Sequence, residues 1–172
     1  MTGQDAPAAI TPIRITHRVA VGPEDAFSTF VDRLQAWWPP SATWSGDVLE
    51  TVAIEPRLGG FCHERGPHGL RLDWGRVVAW EPPHRLAFSW QIAFDRTPEP
   101  NPARASQVEL TFAPDGDGTR VTLTHAGFER HGADGQAYRD AMASDAGWPT
   151  ILGRYRAAIA RREEAPWEGL ST

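Results

Sequence analysis

The sequence predicts an α+β fold: a curved antiparallel sheet of about seven strands wrapped around a long C-terminal helix, with one or two short helices after the first strand. Three observations carry this expectation. Residues 74–92 hold two apolar runs, rich in Val and Trp, on either side of Glu81-Pro82-Pro83-His84. Such residues suit a pleated, half-buried surface, and paired prolines cannot sit inside a ladder, so they form the turn of a long hairpin. Further strand patterns follow one another up to His125, punctuated by turn signals such as Asp115-Gly116-Asp117-Gly118. Only the last third of the chain has an apolar helical stripe long enough to cover the apolar face of such a sheet. A sheet curled around one helix leaves an internal space where the two diverge.

The elements follow in order. Residues 10–21 alternate through Ile13, Ile15, His17 and Val19 and read as the first strand. Gly22-Pro23-Glu24-Asp25 starts a helix, with Pro at its first position and acids in its first turn. Phe27, Phe30, Val31, Leu34, Trp37 and Trp38 recur at helical spacing, with a break near Asp32, and Pro39-Pro40 ends the run. Residues 47–54 and 61–65 read as strands, separated by the turn at Pro56-Arg57-Leu58-Gly59-Gly60. In the central hairpin the second strand alternates, with Leu86, Phe88, Trp90 and Ile92 on one face and Ala87, Ser89 and Gln91 on the other. That is the pattern of a sheet with one covered and one wet face. In the first strand of the hairpin, Trp74, Val78 and Trp80 share a face that also takes Arg76, so either Arg76 points inward or a bulge shifts the parity. Three prolines make residues 95–103 a stiff, exposed connection. Two alternating strands follow, through Phe112 and Leu123. A helical stripe runs from about Asp134 to Arg162 through Tyr138, Trp148, Leu152, Tyr155 and Ile159, bent or divided at Gly147-Trp148-Pro149. The domain is expected over residues 10–163, with flexible tails at 1–9 and 164–172.

The net charge of −5 and the absence of Lys argue against a broad nucleic-acid or anionic-membrane surface. Cys62 is the only cysteine, which excludes an intramolecular disulfide. No apolar run approaches a bilayer span, and no stretch reads as a secretory signal, so the cytoplasm is the expected location.

Several stretches together resemble a known family. Pro23-Glu24-Asp25-Ala26-Phe27, Trp37-Trp38, Pro56-Arg57-Leu58-Gly59-Gly60, Trp80-Glu81-Pro82-Pro83-His84-Arg85-Leu86, and Gly147-Trp148 with its following helix cover about residues 12–162. In this order they resemble the homologues of the activator of heat shock protein 90 ATPase (C-terminal-domain type), within the START/SRPBCC helix-grip superfamily. The resemblance implies a helix-grip fold with a cavity between the sheet and the C-terminal helix.

Candidate chemistry is sparse. Cys62, His63, Glu64 and His68 carry metal-ligand atoms, but on a strand Cys62 and Glu64 take one face and His63 the other, so they do not converge on a metal. His63 is expected to point inward beside Phe61, with Glu64 solvated. No nucleophile elbow, phosphate loop or dinucleotide motif is present. No residue is therefore assigned a catalytic role, and no cofactor is expected. His17, His84 and His131 read as solvated, and His125 as a residue that faces the helix.

The remaining signal is aromatic. Residues expected to line the sheet–helix space are His63, Trp74, Arg76, Phe88, Trp90, Trp148, Leu152 and Tyr155. They either fill it or wall a ligand site. The expected function is binding of a small hydrophobic or aromatic molecule. The alternatives are a polyketide cyclase/dehydratase-like enzyme using His63 or His125 in the same cavity, or an interaction module with a chaperone partner. A homodimer is a further possible assembly.

Overall fold

A computed structural model describes residues 7–164 of the 172 in the chain. The tails expected at 1–9 and 164–172 therefore lie mostly outside the described residues. The chain runs β1 (Ile13–Val19), α1 (Pro23–Val31), α2 (Leu34–Trp37), β2 (Thr51–Ile54), β3 (Phe61–Arg65), β4 (Arg71–Glu81), β5 (Arg85–Trp90), β6 (Ser106–Asp115), β7 (Gly118–Ala126), α3 (Gly135–Ala143) and α4 (Trp148–Glu164). The seven strands form one antiparallel sheet in the order β1-β7-β6-β5-β4-β3-β2. The sheet curls into a half-barrel around α4, the helix-grip arrangement. Every step from β2 to β7 joins spatial neighbours, and β1 closes the far edge beside β7.

The helices follow the sequence signals. Pro23 opens α1, and the expected break near Asp32 separates α1 from the short α2. The C-terminal stripe is divided into α3 and α4. Gly147 sits at the division, where a Cβ would collide with the Met142 carbonyl, so the chain turns there only because this residue has no side chain. Helix α4 buries Trp148, Ile151, Leu152, Tyr155 and Ile159 on one face. These pack with Phe30 and Trp37 from the first helices and with Phe88, Leu110 and Leu123 from the sheet in one core.

Two local expectations are corrected, and one left open between two alternatives is decided. The strand anticipated from Asp47 begins at Thr51, because residues 46–48 form a 3-10 turn that leaves Val48 exposed. Strand β5 is covered on both faces: Ala87 and Ser89 are buried along with Leu86, Phe88 and Trp90. Both are small and sit on the central strand. The Arg85–Glu109 ion pair lies on the face of Ala87, and Gln91 bonds the Ser89 hydroxyl. The parity problem in β4 is resolved by bulges, not by an inward Arg76. Cys62 pairs with Gly75 and His63 with Asp73, leaving Trp74 as an extra residue. Val77 pairs with Phe88 and Ala79 with Ala87, leaving Val78 as a second one. Each extra residue flips the alternation once. Trp74 and Val77 are therefore both buried, while Arg76 and Val78 are both exposed.

Candidate functional site

Four indoles meet at one end of the interior, each carried by a different segment. Trp38 follows α2, Trp74 is the bulged residue of β4, Trp90 ends β5, and Trp148 opens α4. Trp38 and Trp74 stack at 5.5 Å with planes 20° apart. Trp74 meets Trp90 at 5.8 Å, and Trp90 meets Trp148 at 5.4 Å. Trp38 and Trp148 close the ring at 6.3 Å. Phe88 packs edge-on to Trp74 at 6.0 Å. These are the separations at which aromatic pairs attract beyond simple burial. The indoles come together because the β4 bulge turns Trp74 inward while the Trp-Trp-Pro-Pro segment ends α2 against the sheet.

The polar atoms of this interior form two directed chains. The Trp148 indole N–H donates to Nδ1 of His125 at 3.0 Å. An indole nitrogen only donates, so Nδ1 accepts and the ring proton resides on Nε2. Nε2 then donates to the Ser106 hydroxyl at 2.7 Å, and that hydroxyl donates to Nε2 of His131 at 2.8 Å. In the second chain the Trp90 indole donates to the Tyr138 hydroxyl at 2.6 Å, which donates to the Ile92 carbonyl at 2.9 Å. Burial, reinforced by the neighbouring His131, holds the His125 pKa well below its ordinary value, and burial also lowers that of His131. Burial pushes the Tyr138 phenol up to about 12. All three groups are thus neutral near pH 7 and act there as hydrogen-bonding groups. His131, expected in solvent, is half-buried because Ser106 draws it inward.

Two loops are tied together over the same end of the molecule. The carboxylate of Glu64, expected to be solvated, is fully buried and accepts the backbone N–H groups of Trp44 and Ser45 at 2.9 and 3.0 Å. The indole of Trp44 donates to the carbonyl of Arg96 in the proline-rich connection at 2.7 Å. Phe94 of that connection packs on Tyr138 at 5.3 Å.

The eight sequence-predicted residues therefore divide. Trp74, Phe88, Trp90 and Trp148 converge, and Leu152 is buried on the same face of α4 as Trp148. Tyr155 lies farther along α4, against Phe30 and Trp37, with its hydroxyl on the Ala26 carbonyl at 2.7 Å. His63 and Arg76 do not face this interior. Cys62 and Glu64 pair with the buried Ile54 and Val52, so strand alternation puts His63 on the opposite, outer face. Arg76 stacks there over the Phe61 ring at 4.5 Å. Sequence reasoning missed Trp38 as a wall and Ser106 and His131 as polar partners. Trp38 had a readable signal, the aromatic pair before Pro39-Pro40. Ser106 had none.

Among the described residues, no group of three His, Cys, Asp or Glu side chains is placed to hold a metal, and no helix is long and apolar enough to cross a membrane. Clefts of about 280, 350 and 240 Å³ lie beside α4, between α1 and the Pro82-Pro83 turn, and beneath the proline-rich connection. None of these three is lined by Trp74, Trp90 or Trp148.

An anthrahydroquino-γ-pyrone synthase, solved in a complex, is 34% identical, covers 87% of this chain and 97% of its own, and superposes with a TM-score of 0.62. A protein from Mesorhizobium loti is 21% identical over 88% of this chain and 98% of its own, with a TM-score of 0.63. The self-sacrificing resistance protein CalC from Micromonospora echinospora is 24% identical over 93% of this chain and 97% of its own, with a TM-score of 0.60. The last two show a shared fold. No curated protein matches. Residues 20–159 match the family described as Activator of Hsp90 ATPase homolog 1-like protein. With that match spanning most of the chain and a 34% identical relative covering it nearly end to end, the chain belongs to the activator of Hsp90 ATPase homolog 1-like family.

Proposed function

We propose that the protein binds a small, planar, ring-bearing molecule in the interior between the sheet and α4, at the indole cluster. The observation that carries this reading is the Trp38–Trp74 stack. One partner sits on a strand of the sheet, and the other sits at a Pro-Pro loop held by the Glu64 carboxylate, by Arg96 bonds to Trp44 and Thr43, and by the Arg154 bond to the Trp37 carbonyl. A planar ligand entering between the two indoles exchanges one ring–ring contact for two. The loop after Trp38 is the side that yields. Trp148, Trp90 and Tyr138 then provide aromatic walls and a polar edge, the usual make-up of a small-molecule site.

The test is titration of anthraquinone- and pyrone-type compounds, followed by Trp fluorescence and thermal shift. Binding should quench fluorescence and raise the melting temperature. Trp38→Ala and Trp90→Phe should weaken binding, and the surface variant Arg18→Gln should not. If no such compound binds, the interior is only a packed core.

A second reading, a cyclase- or dehydratase-like enzyme using the same interior, is favoured by the Trp148–His125–Ser106–His131 chain and by the similarity to a synthase. With His63 outside, His125 is the remaining candidate, and it would reach a ligand oxygen only by exchanging its bond to Ser106 or Trp148 for one to the ligand. Consumption of a bound compound, lost in a folded His125→Gln variant, would select this reading over simple binding.

A further inference from the structure

We propose a second, separate binding site on the outer face of the sheet, built for a small aromatic carboxylate and centred on Arg76. It occupies a cleft of about 240 Å³ lined by Phe61, Asp73, Gly75, Arg76, Gln91, Pro100 and Pro102. The sheet supplies the floor: Phe61 pairs with Arg76, and His63 with Asp73, across β3 and β4. The proline-rich connection supplies the roof, held down where Gln91 and Glu99 bond each other's backbones.

Arg76 is the reason to expect an anion. Its guanidinium lies over the Phe61 ring at 4.5 Å. A guanidinium lying flat on a ring keeps its N–H donors in its own plane, which would leave the edge of Arg76 available for a carboxylate fork. Three nearby arginines are already engaged: Arg57 and Arg71 with Glu55, Arg71 with Asp73, and Arg104 with Glu99. Among the described residues, Arg76 has no such partner. Beside the cleft, His63 is only 9% exposed and its Nδ1 has no hydrogen-bond partner. Buried polar atoms are seldom left so.

The walls define the rest of the ligand. Pro100 and Pro102 offer apolar surface to a ring, while the Phe61 ring carries the guanidinium of Arg76. The volume is below the roughly 300–1,000 Å³ of drug-sized pockets, so a single ring fits better than a fused system. Asp73 is fixed by Arg71 at 3.0 Å and repels a second anion, but it can accept a proton donor such as a hydroxyl. The class is thus a one-ring hydroxycarboxylate, with its carboxylate on Arg76 and its hydroxyl toward Asp73.

The experiment titrates the full chain with 4-hydroxybenzoate and with benzoate, following the amide signals of Gly75 and Gln91 by NMR. The wild type should bind both at millimolar concentration or better and prefer the hydroxylated compound. Arg76→Gln should weaken binding about tenfold or more, the size of a lost charge-assisted contact. Asp73→Asn should reduce the preference for 4-hydroxybenzoate, and Trp38→Ala should change neither affinity. Absence of binding, or equal affinity in Arg76→Gln, overturns the proposal. So does binding that Trp38→Ala removes, because the compound would then sit in the interior.

Discussion

The indole N–H of Trp148 donates to Nδ1 of His125, so the first residue of α4 is hydrogen-bonded to the penultimate residue of β7. This single contact joins the helix to the sheet and sets the tautomer of a buried imidazole. Two consequences can be measured.

Trp148 is fully buried among Trp38, Trp90 and His125. Trp148→Ala should destabilise the protein by about 3–5 kcal/mol, the usual result of emptying a large aromatic site. Trp148→Phe keeps much of the packing but leaves Nδ1 of His125 without a donor, and should cost about 1–3 kcal/mol. Urea unfolding checks both values, and an unchanged midpoint for the alanine variant would mean that α4 is not the cover of the core.

Stability should fall as the pH drops through the ordinary histidine value of 6.5. Burial lowers the folded-state pKa of His125 and of His131, so below about 6.5 the unfolded chain takes up protons that the folded chain refuses. The stabilisation is fully present above that value and is lost on acidification toward the depressed folded pKa values. His131 contacts Ser106, Phe128 and Tyr138, and Glu99 opposes its shift without reversing it. In His125→Gln the slope of unfolding free energy between pH 6.5 and 5 should be shallower than in the wild type. Identical slopes would show that His125 titrates freely in the native state.

Glu64 should be a stability residue of the loop beside Trp38. Glu64→Ala leaves the Trp44 and Ser45 amides without their acceptor and should cost about 2–3 kcal/mol, as for other charge-assisted bonds to buried groups. Hydrogen exchange at those two amides should accelerate more than exchange in β6. Uniform acceleration across the sheet would argue against a local role.

Cys62 should be chemically silent in the native state. Burial, aided by Glu55 and Asp73, pushes its thiol well above the ordinary range, so little thiolate is present near neutral pH. A disulfide reagent should react only at the rate of unfolding, and reductant or chelator should leave the melting temperature unchanged. Rapid modification of the folded protein would contradict the packing around β3.

Much of the fold was legible along the chain. Alternation in β6 and β7, the Pro82-Pro83 turn, the break near Asp32 and the stripe of α4 are local patterns whose periods are imposed by backbone geometry. They determine which segments become strands or helices, and the family resemblance follows from their order. The inward residues Phe88, Trp90, Trp148 and Leu152 were readable for the same reason.

What tertiary structure alone decided is which face each residue of β3 and β4 takes, and which polar atoms meet. Two extra residues, Trp74 and Val78, invert the alternation in β4, and a bulge is a property of a strand pair that neither strand records by itself. That inversion carries Arg76 to the outer face, while the register of β2 on β3 carries His63 there and buries Glu64. Ser106 meets His125 and His131 across 19 and 25 residues of chain, and Glu64 meets Trp44 across 20. A buried polar atom must find a partner, but its identity depends on how distant segments pack together, which no period along the sequence encodes.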